Sequence, residues 1–409
     1  MSPKSEETSV VFMARQPIFN RQGTVTAFEL LFRDSTGKSV GELTSQQEAA
    51  AIAQSVLDIG LDTLVGENRA FINIPLELLS HPALLLLPPK RVVLEILEDV
   101  EPTAELIETM KSLKSKGYTI ALDDFVFDGR LDSLLPYCQL VKVEFPVADK
   151  AALRRNVAKL KSMGLTTLAE KVEEKDEYKL CLNCGFDLVQ GYFFAKPELV
   201  PGAAVKAGTG TLAQLLHELQ NPGVTIVRIE ELLSSDARLT HQLLRIANTA
   251  AFGTSGGVAS IRAALMTVGT VRLTALVGLM MIAERSGGHS DLLTLGTVRA
   301  KLCEELARHF GHSGPDRHFT VGLLSVLDAV LGMKMSDVLV QIPLAEDLKA
   351  VLLDPTKPGE LGDVLRLAQA VETGNWPAVQ ALGVDPITVG DCYMRALHWS
   401  DEIRSQLAA

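Results

Sequence analysis

The sequence predicts an α/β barrel followed by an all-helical domain, and three observations predict it. Short apolar runs that end in a carboxylate or an amide recur through the first half. Helix-length amphipathic segments separate them. Beyond about residue 200 the strand-like runs stop and helical spacing takes over. Alternation of strand and helix is the pattern of a parallel sheet wrapped by helices.

Taken in order, the strand-like runs lie over 70–75, 92–98, 119–125, 140–144, 166–170 and 188–191. Each holds four to seven residues rich in Val, Ile, Leu and Ala, as expected for strands buried on both faces. Helices are predicted over 45–59, 103–116 and 151–163. Lys196-Pro197-Glu198-Leu199-Val200-Pro201-Gly202 closes the pattern, and Ala207-Gly208-Thr209-Gly210 opens a new one. The expected division is an N-terminal tail over 1–10, a barrel over 11–200 and a helical domain with a C-terminal extension over 201–409. Helices in that second part are predicted over 212–219, 226–234, 236–248, 261–268, 271–283, 292–309 and 318–331. The tail from about Pro343 is helical and punctuated by Pro355, Pro358, Pro377 and Pro386. Its Trp376, and Trp399 beyond it, are expected to be packing anchors rather than ligand stackers.

Composition removes several classes of function. The chain has 409 residues and 47% apolar content, enough for two cores. A net charge of −11 argues against a nucleic-acid surface. No apolar run reaches the roughly 18 residues that a membrane span needs, and the first ten residues carry no signal-peptide core. A cytoplasmic protein is the expectation. Cys138, Cys181, Cys184, Cys303 and Cys392 are scattered. Cys181 and Cys184 have zinc-like spacing with no second pair, so buried structural thiols are expected.

The polar strand ends carry the chemistry. Asp123 and Asp124 close one run, Glu98 closes another with Glu95 inside it, and Asn73, Glu144, Glu170 and Gln190 stand at or near the ends of others, with Lys142 inside the fourth. Ligands of sheet-and-helix proteins bind at the carboxyl ends of strands. One polar tip reads equally as a turn or helix cap. Six in succession favour a site for a hard divalent cation such as Mg²⁺ or Mn²⁺ at one barrel mouth.

The first half, from about residue 11 to 197, resembles the EAL-domain phosphodiesterases, which cleave cyclic di-GMP. The resemblance rests on Arg15-Gln16-Pro17-Ile18, Phe28-Glu29-Leu30-Leu31-Phe32-Arg33, Asp123-Asp124-Phe125, Glu170-Lys171-Val172-Glu173 and Gln190-Gly191, in the family's order. It implies a TIM-like (β/α)8 barrel. By the same match Glu29, Asn73, Glu95, Asp123 and Asp124 are metal ligands, and Gln16, Arg33 and Gln190 bind the dinucleotide. Glu170 is the general base, Lys142 stands near the attacking water, and Glu98, Glu144 and Glu173 support loops. Homodimerisation through the EAL domain is a family expectation. Three departures stand out: Val126 and Lys171 replace glycines, and Glu144 replaces an aspartate.

The second half, from about 209 to 335, resembles the HDOD domain, a helical relative of the HD phosphohydrolases. The matching stretches are Leu243-Leu244-Arg245-Ile246-Ala247-Asn248, Phe252-Gly253 and Ser260-Ile261-Arg262-Ala263-Ala264-Leu265. Ser325-Val326 stand where the catalytic relatives carry His-Asp. The resemblance therefore implies a non-catalytic regulatory module with a protein partner. Two functions stay open at this point: a metal-dependent cyclic di-GMP phosphodiesterase, and a catalytically silent adaptor that binds nucleotide or protein.

Overall fold

The computed structural model describes residues 10–34, 46–145, 149–195, 291–340 and 344–408, with shorter stretches between 215 and 280. Eight strands close into a barrel in sequence order. They are β1 (Val10–Asn20), β2 (Val25–Asp34), β3 (Arg69–Asn73), β4 (Val92–Ile96), β5 (Thr119–Leu122), β6 (Leu140–Glu144), β7 (Thr166–Glu170) and β8 (Leu188–Gln190). The six expected strands are β3 to β8, with ends shifted by a few residues.

The barrel departs from uniform (β/α)8 order at its start. β1 pairs antiparallel with both neighbours, β2 and β8, whereas β2 through β8 are parallel. A hairpin, not a helix, joins β1 to β2. Asn20 Oδ1 accepts from the backbone N–H of Gln22 and of Thr24, both at 2.9 Å, and Gly23 takes φ +76°. A side-chain acceptor and a left-handed glycine are the ordinary means of a tight reversal.

The outer helices follow their apolar spacing. Ala104–Ser115 buries Leu106, Met110 and Leu113, and Lys150–Ser162 buries Leu153, Val157 and Leu160. Thr103 and Asp149 cap them: Thr103 Oγ1 accepts from Leu106 N at 3.1 Å, and Asp149 Oδ1 accepts from Ala151 N and Ala152 N at 2.9 Å. Such caps satisfy donors that the first helical turn cannot. Lys175–Cys184 carries Cys181 and Cys184 one turn apart. Both are buried and free, as are the other three cysteines.

Side-chain alternation then builds the site. One layer of the interior takes one residue from each strand: Ile18, Ala27, Phe71, Val93, Ala121, Leu140 and Leu168, with Leu188 packed against them. Residues two apart on a strand share a face. Two positions onward along β2 to β8 stand Glu29, Asn73, Glu95, Asp123, Lys142, Glu170 and Gln190. On β1, which runs the other way, the equivalent step backward gives Gln16, paired in register with Glu29. An apolar floor and a polar layer above it are thus consecutive turns of the same pleat.

The chain forms two compact units, and they do not divide at a single point near residue 200. Val371–Gly390 group with the barrel, while Phe194–Ala370 and Asp391–Ala409 form the second unit. The expected linker over 196–210 lies outside the described residues, as do the tail over 1–9 and most of the helices expected over 212–219, 236–248 and 261–268. In the second unit, Asp291–His309 and Pro315–Leu324 pack with backbones in near contact. A Cβ on Gly322 would lie 2.8 Å from Ala300 Cα. The single helix expected over 318–331 is broken into Pro315–Leu324 and Leu327–Leu331 at Ser325-Val326. Ser325 Oγ donates to Gly322 O at 2.7 Å and accepts from Arg299 at 2.8 Å, while Val326 is buried. Trp399 meets Phe319 edge to face.

One glycine is indispensable to the barrel mouth. Gly191 follows Gln190 with φ +147°, and a Cβ there would lie 2.0 Å from Val172 O. Overpacking against backbone costs about 3 kcal/mol or more. Gly191→Ala is expected to lower the unfolding free energy of the barrel transition by an amount of that order, and with it the urea midpoint. An unchanged midpoint would contradict the close approach of β8 to Val172.

Candidate metal and substrate site

Every one of the eight strands contributes to one polar cluster, and its centre is the ammonium of Lys142. Lys142 Nζ lies 2.6 Å from Glu95 Oε1, 2.8 Å from Glu170 Oε1, 2.9 Å from Asp123 Oδ1 and 3.5 Å from Glu29 Oε2. Lys142 and Glu95 are fully buried, and Glu29, Glu170 and Gln190 nearly so. Gln190 Nε2 donates to Glu29 Oε2 at 2.6 Å and to Gln16 Oε1 at 2.9 Å. Asn73 Nδ2 donates to Glu29 Oε1 at 2.9 Å.

The electrostatics follow from four carboxylates around one cation. Burial pushes the Glu95 carboxyl well above the usual range, and Glu29 and Asp123 add to that push against the pull of Lys142. Burial likewise raises Glu170, with Asp123 and Glu29 adding to the rise. Burial alone would lower the Lys142 ammonium, but Glu170, Glu29, Glu95 and Asp123 outweigh it and hold it well above the usual lysine range. The ammonium is firmly charged, and the acids around it remain in excess.

That excess fits a divalent ion. Ligand atoms of Asp123, Asp124 and Glu170 lie within 4.8 Å of one another. Asn73 Oδ1, Asp124 Oδ1 and Glu170 Oε2 are buried without a hydrogen-bond partner among the described residues. Buried orphan oxygens are costly unless a ligand takes them, and carboxylate and amide oxygens are the donors Mg²⁺ and Mn²⁺ prefer. Glu29, Asn73, Glu95, Asp123 and Asp124, all expected as ligands, come together here. Glu170 falls in the same cluster.

The rim explains the three sequence departures. Among the described residues, Asp124 and Lys171 are the non-glycine ones with positive φ, at +38° and +56°. Lys171 therefore occupies a left-handed conformation that costs a non-glycine residue about 1 kcal/mol. Its ammonium compensates, lying 3.1 Å from Glu144 Oε1 and 3.6 Å from Asp124 Oδ2. The lysine and the longer Glu144 are thus one feature: a cation held across two rim acids. Val126 does not crowd the mouth. It is 60% exposed, and its backbone is outside the positive-φ set, so no glycine is needed there. The loop after it is fastened by Arg130, which donates to the carbonyls of Glu98 and Val100. Glu98 supports the loop through its backbone oxygen. The backbone N–H groups of Glu173 and Glu174 donate to Glu177 at 2.9 and 3.0 Å, fixing the start of the helix Lys175–Cys184.

Arg33 lies farther along β2, with its guanidinium carbon 5.4 Å from the ring centre of Trp376. Gln16 Nε2 donates to Glu372 O at 3.5 Å. Sequence reasoning did not place Trp376 at the barrel, and no local signal in the sequence links it to Arg33. It likewise missed Lys171 as an ion-pair partner, although a lysine at a glycine position between two acids was a usable signal.

A family model described as the HDOD domain matches residues 208–345. Over 413 residues the chain is 33% identical to the cyclic di-GMP phosphodiesterase CdgJ of Vibrio cholerae, covering 98% of this chain and 95% of that protein. The chain belongs to the EAL–HDOD family. The uncharacterized protein YuxH of Bacillus subtilis is 32% identical over 401 residues, which is 95% of this chain and 98% of that one. A shorter match, 29% identical over 124 residues, covers 27% of this chain and 31% of the cyclic di-GMP phosphodiesterase RocR of Pseudomonas aeruginosa. Among solved structures, the Klebsiella pneumoniae BlrP1 calcium/cyclic di-GMP complex aligns with 47% of this chain and 57% of that chain at 25% identity and TM-score 0.38.

Replacing Lys142 tests the electrostatic account. Lys142→Met leaves the acids without their cation, which costs about 3–5 kcal/mol for a buried pair. Glu95 and Glu170 already bind protons more tightly folded than at their ordinary 4.5. The folded variant therefore loses stability as pH rises above about 4.5 toward those raised values. The expected result is a lower melting temperature in EDTA, more so at pH 8 than at pH 5, and a larger rise on adding Mn²⁺ than in the wild type. A pH-independent loss that Mn²⁺ leaves untouched would contradict it.

Proposed function

We propose that this EAL–HDOD protein is a cytoplasmic, metal-dependent cyclic di-GMP phosphodiesterase, with its HDOD part acting as a non-catalytic module for a protein partner. The observation that carries the reading is the polar layer itself. Alternating positions of eight successive strands put four carboxylates, two amide side chains above the apolar floor and a third amide on β1 around one buried point. The CdgJ relative, similar along its whole length, is named for the same activity.

The residues divide the work by chemistry. Glu29, Asn73, Glu95, Asp123 and Asp124 would hold Mg²⁺ or Mn²⁺. When bound, such an ion neutralises phosphate oxygens and lowers the pKa of a bound water. Arg33 presents a planar fork of donors suited to a phosphodiester, and Gln16 and Gln190 line the approach to Glu29. Glu170 is the proton acceptor. Its Oε1 is held by Lys142, its Oε2 has no partner among the described residues, and burial raises its basicity. Water adds to phosphorus, its proton passes to Glu170, and one ring P–O bond breaks. The departing oxygen takes a proton from solvent, giving the linear dinucleotide pGpG. Lys142 steadies charge developing beside Glu170.

The HDOD part is read as non-catalytic because Ser325 is tied to Arg299 and Val326 is buried, where a metal-binding pair would stand in the catalytic relatives. Among the described residues no helix is long and apolar enough to cross a membrane. Homodimerisation belongs to the same reading: Val126 and Phe127 are exposed on the loop beside the mouth.

One observation favours a second reading, the silent adaptor. Lys142 and Lys171 already pair with Asp123, Asp124, Glu144 and Glu170. A site content with its own cations has less need of metal. Glu170→Gln separates the two. It keeps the shape but removes the proton acceptor, which typically costs about 10²–10⁴ in rate. The phosphodiesterase reading expects pGpG release to fall by that factor with cyclic di-GMP binding retained. The adaptor reading expects no pGpG from either form at saturating Mn²⁺.

A further inference from the structure

Outside the acid cluster, one segment joins the barrel unit from the far end of the chain. Within Val371–Gly390, the carbonyl of Glu372 faces Gln16, Gly374 turns the chain, and Trp376 opens the short helix Trp376–Ala381. Gly374 has φ +67°. A Cβ on it would lie 3.1 Å from Leu31 Cδ1, 3.6 Å from Gln16 Nε2 and 4.0 Å from Trp376 Nε1. The turn is therefore pressed onto β1 and β2, and the indole nitrogen and the Gln16 amide nitrogen border one point. Asn375 caps the helix, its Oδ1 accepting from Ala378 N at 3.3 Å, and Val371 and Val379 anchor the segment by burial.

Two features of Trp376 go beyond packing. The Arg33 guanidinium carbon lies over its ring, 5.4 Å from the centre, within cation–π reach. That contact holds the guanidinium charge beside the mouth. Trp376 is also only 5% exposed, yet its indole N–H has no acceptor among the described residues. A buried donor without an acceptor is unusual and costly unless a ligand supplies one. Arg33, the Gln16 amide and this N–H are all donors on one side of the mouth, which suits an anion.

We propose that Trp376 is a substrate-positioning residue of the barrel mouth, holding the Arg33 guanidinium over its ring and offering its indole N–H beside Gln16 to the phosphate of the bound dinucleotide. The proposal rests on the cyclic di-GMP reading above and deepens it. The mouth is completed by a turn that lies outside the eight strands, reached only after the chain has passed through the helical domain.

The test measures cyclic di-GMP affinity in the full-length protein with Ca²⁺, and kcat and KM with Mn²⁺, for the wild type, Trp376→Phe and Trp376→Ala. Losing a partly desolvated cation–π contact weakens binding on the order of tenfold. Trp376→Ala is expected to raise Kd and KM by about that factor with kcat changed far less. Trp376→Phe keeps a face but no N–H and should fall between, about threefold above wild type. In an Arg33→Ala background the cost of Trp376→Ala should shrink, because the two act through one contact. Should Trp376→Ala fail to fold, Trp376→Phe decides alone, and wild-type affinity in it overturns the indole N–H assignment. Unchanged affinity in a folded Trp376→Ala reduces the residue to packing and overturns the proposal. Tighter binding or faster turnover makes the segment a brake and overturns it equally. If the wild type itself takes no cyclic di-GMP, the functional reading fails and this proposal fails with it. Binding by the wild type with no effect of either variant fails this proposal alone.

Discussion

Four buried carboxylates gathered on one ammonium are the constraint from which the rest of the barrel mouth follows. Like charges at such separations repel strongly in a buried setting, and the fold tolerates them only around a cation. Lys142 supplies one unit of positive charge from the middle of β6. Its contacts reach β2, β4, β5 and β7, so a single side chain ties together strands that are not neighbours. The imbalance left over is chemically useful. Raised carboxyl groups and unpartnered oxygens are donors of the kind that fit a divalent ion.

The apolar floor makes this arrangement affordable. The ring from Ile18 to Leu188 excludes water below the acids, and the same pleat that buries it turns every second residue toward the mouth. Displacing one strand by one residue would bury its polar residue against the outer helices and open the floor at once. Register and chemistry are therefore coupled. The hairpin between β1 and β2 shows the coupling most directly: the antiparallel direction of β1 reverses the step, yet Gln16 still arrives opposite Glu29. The rim follows the same economy of charge, with Lys171 strained into a left-handed conformation where it bridges Asp124 and Glu144.

Much of this was legible in the sequence, for identifiable reasons. The runs that became β3 to β8 are short, apolar and polar-tipped, and Asn73, Glu95, Asp123, Lys142, Glu170 and Gln190 from them share one cluster. The β1–β2 pair was missed because those strands carry motif residues rather than a clear apolar run, although Asn20 and Gly23 marked the turn. The glycine replacements were visible, but their consequences were not. Val126 points to solvent and changes little, while Lys171 forms a bridge that depends on backbone conformation. The position of Trp376 against Arg33 could not be read at all, since it depends on the chain returning from the helical domain to the barrel. Long-range returns leave no local periodicity to detect.

The proposed divalent ion would be held by Glu29, Asn73, Glu95, Asp123 and Asp124 beside Lys142 rather than in its place. The most direct measurement is the anomalous difference map of crystals grown with Mn²⁺. A peak is expected within bonding distance of oxygens from those side chains, with the Lys142 ammonium still paired to Glu170. A map with no peak there at saturating Mn²⁺, the four carboxylates closed on Lys142, would contradict it.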